Sequence, residues 1–124
     1  MFLVVNNTDP TKITFHLFSQ KTMFAKTFPL VKRNNNYAVF LEKFLLQARC
    51  SLRKIKGVAV VVGTDGFTSA RLIVTFANAL AFGLQVPVIS ILKDFTKESV
   101  LQAFEKSKPG IYAAVVYSGE ARVG

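Results

Sequence analysis

The chain opens on a short apolar run, FLVVN at residues 2 to 6, which reads as a buried strand, and NTDPT after it supplies Asn, Asp and Pro in succession, the chemistry of a turn. In KITFHLF, residues 12 to 18, Ile13, Phe15 and Leu17 fall on one side and Thr14, His16 and Phe18 on the other, the period of a strand with one well-buried face. SQK makes a second turn, and TMFAKTF, residues 22 to 28, predicts a third strand that stops before Pro29. Three strands joined this closely predict an antiparallel meander.

The period then changes. After KRNNN, where Asn35 or Asn36 can cap a first turn, YAVFLEKFLLQAR places Tyr37, Phe40, Leu41, Phe44, Leu45 and Ala48 at helical spacing, so an amphipathic helix runs to near Cys50. GVAVVVG, residues 57 to 63, is apolar on both faces and β-branched, as a central strand covered from both sides must be. A second helix follows from about Thr68 to Phe82, with Gly83 as its expected C-terminal stop. VPVISI (86 to 91) is another buried strand, TKESVLQAFEK (96 to 106) a short helix capped by Thr96, and IYAAVVY (111 to 117) a last strand. The predicted order is βββαβαβαβ, an α/β domain over residues 1 to 124 with no repeat and no linker.

The second helix is unusual. Arg71, Thr75 and Asn78 form one narrow polar stripe, and nearly everything else on it is apolar. A helix lying on a sheet needs to be apolar over about a third of its circumference, so this one has a second surface to bury, against the first helix or against a partner.

Composition narrows the possibilities. Hydrophobic residues make up 51% and charged ones 19%, which excludes a disordered tail. No apolar run approaches the roughly 20 residues of a membrane span, and the first residues lack a basic segment ahead of a cleavable apolar stretch, so a cytoplasmic protein is expected. Cys50 and His16 are each the only residue of their kind, which leaves no Cys or His cluster for a metal; no cofactor and no metal are expected. Ser69 and Thr68 have no base at recognisable spacing, and a hydroxyl there caps a helix more readily than it attacks a substrate, so no catalytic residue is assigned.

Net charge is +9, and it is concentrated: nine basic residues from Lys21 to Lys56 face a single acidic one, Glu42. Such a region attracts polyanions without reading sequence, or simply keeps the protein soluble. Lys32, Arg33, Arg49, Arg53, Lys54 and Lys56 are the candidate RNA contacts.

GTDGFTSAR, residues 63 to 71, begins like a phosphate loop, yet the residue after Gly66 is Phe67 where a Walker loop needs Lys, and Gly63 and Gly66 do not make a dinucleotide fingerprint. The segment from 56 to 91 resembles the TsaB (YeaZ) family, whose hallmark is a loop of the type G-x-G-S-F-T-G-x-R, a helix with small residues, and a strand with Pro followed by a hydrophobic residue. Gly63, Gly66, Phe67, Thr68 and Arg71 match the loop, Ala79, Leu80, Ala81 and Gly83 the helix end, and Pro87 the next strand. The resemblance implies a ribonuclease-H-like, actin-type (ASKHA) lobe. It also implies a non-catalytic partner of TsaD in making threonylcarbamoyladenosine on tRNA, pairing with TsaD or with itself through the first two helices.

On that reading Gly63, Gly66, Phe67 and Thr68 shape the loop. The interface is expected at Tyr37, Phe40, Leu41 and Phe44 of the first helix and Arg71, Val74, Thr75, Ala77, Asn78 and Ala81 of the second, with bulky charged substitutions at Ala77 or Ala81 breaking assembly and sparing the fold. Two departures are visible. The family's first strand ends D-T-S where this chain has Asn6, Asn7 and Thr8, so a Mg-nucleotide site is not expected there. Family members carry a second lobe, and none is expected within residues 1 to 124. A basic RNA-binding module, or a homodimer with no TsaD partner, is the alternative.

Overall fold

A computed structural model describes residues 1 to 9, 11 to 19, 21 to 30, 36 to 61 and 67 to 106, and of residues 67 to 71 the backbone alone. Its strands are β1 (Phe2–Asn6), β2 (Lys12–Phe18), β3 (Met23–Pro29), β4 (Gly57–Val61) and β5 (Val88–Ile91). Its helices are α1 (Tyr37–Ala48), α2 (Phe67–Leu84) and α3 (Lys97–Glu105), with a single 3-10 turn at Leu52–Lys54 that the sequence pattern did not announce. The expected strand at 111 to 117 lies outside the described residues.

One sheet in the order β3-β2-β1-β4-β5 carries everything. The β1–β2–β3 meander is antiparallel, as predicted. β4 adds to β1 in parallel, Phe2 opposite Gly57, and β5 adds to β4 in parallel. β2, β1 and β4 are thus the inner strands, and Leu3, Val4, Val5, Val58, Ala59 and Val60 are fully buried.

The alternation of β2 now has a meaning on both faces. Leu3, Val5, Ile13, Phe15, Leu17, Val58 and Val60 form one face, and onto it α1 lays Leu41, Phe44 and Leu45 while α2 lays Ile73, Val74, Ala77 and Ala81. The opposite face gathers Val4, Phe18, Ala59 and Val61 under Val100 and Phe104 of α3. Phe104 stacks on Phe2 at 4.5 Å between ring centroids, directly over Gly57. A Cβ built on Gly57 would come within 2.5 Å of that ring, so the close approach of α3 to β4 requires glycine there.

The helix ends follow the sequence with one exception. Asn36 caps α1, its side chain accepting from Val39 N–H, and Thr96 caps α3 in a reciprocal box with Ser99. Gly83 does not stop α2. The helix runs on to Leu84, and Gln85 takes the left-handed turn at φ 58, with Val86 N–H reaching back to Ala81 C=O at 3.0 Å. The 6→1 hydrogen bond that satisfies the last turn needs a left-handed residue just beyond the helix, and in this register that residue is Gln85.

Candidate functional site

α1 and α2 lie side by side on the same sheet face but do not close on one another. Tyr37 and Phe76 meet edge to face at 5.6 Å. Beyond that contact the two helices leave an open apolar groove of about 510 Å³. Leu41 and Leu45 line it with Ala38, Val39, Glu42 and Leu46 on the α1 side, and Phe76 and Leu80 line it from α2. Cys50 and Leu52 stand at one end. Leu46 is 74% exposed and Leu72, one turn before Phe76 on α2, 56%; Phe82 is exposed as well. Glu42 is the one charged side chain in the lining.

This arrangement resolves the doubly apolar helix into three zones. Ile73, Val74, Ala77 and Ala81 go onto the sheet; Phe76 and Leu80 are half-buried against the groove; Leu72 and Ala79 face outward. Of the expected interface residues, Leu41, Phe44, Val74, Ala77 and Ala81 are packed into the core, from 0% to 4% exposed, and of these only Leu41 also reaches the groove lining. Small residues on α2 allow close approach to the sheet rather than to a second helix. Tyr37, Phe40 and Asn78 are half-buried and Thr75 is exposed, so these four stay at the surface of the pair. Leu46, Leu72 and Val39 were missed, because a surface leucine on an amphipathic helix looks like part of its buried stripe until the sheet is in place.

The motif residues are only partly in view. Gly63 and Gly66 lie outside the described residues, as do Lys32 and Arg33. Phe67, Thr68 and Arg71 belong to the first turns of α2, where the backbone alone is described.

At the end of β1 most of the polar side-chain atoms are engaged locally. Asn6 Oδ1 accepts from Thr8 N–H at 3.0 Å and from Thr8 Oγ1 at 2.8 Å. Asn7 is buried; its Nδ2 donates to Lys12 C=O at 2.8 Å and to Asp9 C=O at 3.2 Å, which pins the β1–β2 connection, and among the described residues its Oδ1 has no partner. Asp9 accepts from Thr11 Oγ1 at 2.6 Å and Thr11 N–H at 2.9 Å, and those bonds, with Lys12 at 3.8 Å, hold its carboxyl below the ordinary carboxylate range. Among the described residues no three His, Cys, Asp or Glu side chains gather where they could share an ion. No helix among them is long and apolar enough to cross a membrane.

His16 sits on the α3 side of the sheet against Phe95 (5.4 Å, edge to face) and Phe18 (6.0 Å). Burial holds its imidazole below the ordinary histidine range. Because the folded protein resists this protonation and the unfolded chain does not, the contribution of His16 is intact above about pH 6.5 and is lost as pH falls through the lowered value. Thermal melts between pH 8 and 5 are expected to show a fall in Tm below about pH 6.5 that His16→Gln removes, and a variant that follows the parent would place the titration elsewhere.

No family model matches the chain, and no curated protein matches its sequence. Solved structures do. YeaZ from Pseudomonas aeruginosa superposes with a TM-score of 0.65 at 18% identity, over 73% of this chain and 43% of that one. An uncharacterized protein described as similar to the peptidase YeaZ from Pseudomonas aeruginosa superposes with a TM-score of 0.63 at 19% identity, over 73% of this chain and 42% of that one. The chain therefore spans less than half the length of either, and over 73% of its own length it has the α/β fold of YeaZ.

Proposed function

We propose that this chain is a TsaB-like, non-catalytic scaffold that pairs through α1 and α2 with a TsaD-type protein in threonylcarbamoyladenosine modification of tRNA. The observation that carries the reading is the open apolar groove between the two helices, extended by exposed Leu46 and Leu72. Exposed apolar surface of this kind, rimmed by polar residues, is what a partner helix pair covers. The likeness of fold to YeaZ and the motif from 56 to 91 favour a TsaD-type protein as that partner.

Light scattering on a sizing column tests the pairing, with the chain alone and then mixed with the TsaD-type protein of the same organism. A stoichiometric heterodimer is expected. A homodimer indifferent to that protein would keep the interface and remove the partner. Leu46→Glu and Leu72→Glu should each leave the thermal transition nearly unchanged and weaken assembly by about thirtyfold or more, the loss typical of a central apolar anchor worth at least 2 kcal/mol. Assembly that survives both substitutions would move the interface off this groove.

A further inference from the structure

Among the described residues, five of the seven cations between Lys21 and Lys56 are brought by the fold to one end of the sheet, the end where β1 and β4 begin. Lys56 N–H donates to Met1 C=O at 2.7 Å, which fixes Lys56 beside the chain's own amino group. Burial first, and then the Lys56 charge, hold that amine below its ordinary value. Arg49 is the left-handed residue that ends α1, and Arg53 and Lys54 follow in the 3-10 turn. Lys21 joins them in the β2–β3 turn, because Phe18 is opposite Phe2, and Lys106 arrives at the end of α3, whose Phe104 stacks on Phe2.

These cations are exposed, and among the described residues Arg49, Arg53, Lys54 and Lys56 have no ion pair and no side-chain hydrogen bond. Their side chains do not cap the helices. The last carbonyls of α1 and α2 are taken by backbone N–H groups, Cys50 to Leu45 and Val86 to Ala81, both at 3.0 Å. Between the 3-10 turn and the α2–β5 connection lies an open cleft of about 710 Å³ with Arg53 and Lys56 on one wall and Gly83, Gln85 and Pro87 on the other.

We infer that this basic end of the sheet is a docking site for the phosphodiester backbone of a single-stranded nucleic acid, with Arg53, Lys54 and Lys56 as its principal contacts. The chemistry selects the ligand. Cores of protein interfaces are poor in lysine, and this end carries several exposed lysines and arginines. A cleft flanked by cations admits a strand, whereas a flat bilayer would reach only its rim. None of the residues lining the cleft is aromatic, so binding comes from phosphate contacts and ignores sequence. The cleft adjoins the α1–α2 groove at Leu52, which lines both, but its cations lie outside the groove lining, and its failure would leave the scaffold reading standing.

Fluorescence anisotropy with a labelled single-stranded RNA 20-mer, and with DNA of the same sequence, tests it. With three or four phosphates contacted, affinity should fall roughly 20- to 50-fold between 50 and 200 mM salt. Arg53→Glu with Lys56→Glu should abolish binding, and the milder Arg53→Ala with Lys54→Ala should flatten the slope of log K against log salt by about 1.4. Lys26→Glu with Lys43→Glu, an equal change of net charge on β3 and α1, should matter far less. RNA and DNA binding alike supports a site for the shared backbone; binding of one alone names the source. Equal losses in the pole and control variants would overturn the proposal, as would no binding at 50 mM salt. So would tighter capture by a poly-glutamate peptide or by phosphatidylserine vesicles.

Discussion

Ala77→Glu is expected to abolish folding rather than assembly. Ala77 is fully buried, between Ile73 and Ala81 on the side of α2 that rests on the sheet. A glutamate there must either carry an unpaired charge into the core or neutralise itself, and in both cases its longer side chain pushes α2 away from β4. Overpacking costs about 1–3 kcal/mol and an uncompensated buried charge several more, which together rival the roughly 5–15 kcal/mol that holds an ordinary domain together. Circular dichroism should show no cooperative melt, and the protein should appear in the insoluble fraction. A folded monomer that merely fails to pair would place Ala77 on an outward face and overturn the packing of α2 described above.

Phe44→Ala is expected to be the most damaging truncation in α1. The Phe44 ring is fully buried and packs on Phe15 of β2 at 5.4 Å and on Phe24 of β3 at 5.5 Å, so it anchors the helix to two strands at once. Truncating a buried aromatic costs about 3–5 kcal/mol. The upper part of that range applies where the cavity cannot collapse, and here Phe24, at the sheet edge and 39% exposed, is free to move in partway. A loss of about 3 kcal/mol, or a fall in Tm on the order of 10 °C, is the expected reading from chemical and thermal melts. A change under about 1 kcal/mol would mean that α1 is held mainly by its other contacts.

The sequence was most legible where one local rule decided the outcome. The β1 and β2 segments lie where the apolar run and the alternation put them, and Thr96 opens α3 by its own side chain. Legibility declined where a distant contact decided. Gly83 looked like a stop, but the end of α2 is set by where the chain must turn to enter β5, and Gln85 turns it. The apolar excess of α2 was visible as an amount and not as a direction. Which of its residues face the sheet depends on β4 lying beneath, and only with that known do Ala77 and Ala81 move from the expected interface to the core while Leu46 and Leu72 emerge at the surface. The basic region was legible as a stretch of sequence. Its contraction to one end of the sheet, with Lys21 and Lys106 included, comes from the β1–β2 register and from the stacking of Phe104 on Phe2.

The parallel seam between β1 and β4 also sets an order of events for the chain as it is made. The β1–β2–β3 meander closes through short turns, so it can form as soon as its own residues are free. β4 arrives later, and pairing Phe2 with Gly57 closes a loop that contains the meander and α1 before any contact across the seam is gained. Until then the inner edge of β1, a strand whose Leu3, Val4 and Val5 are all buried in the finished sheet, stands open to any passing chain. The slow step of folding is therefore expected at this seam, and the meander waits on the ribosome for the strand that completes it.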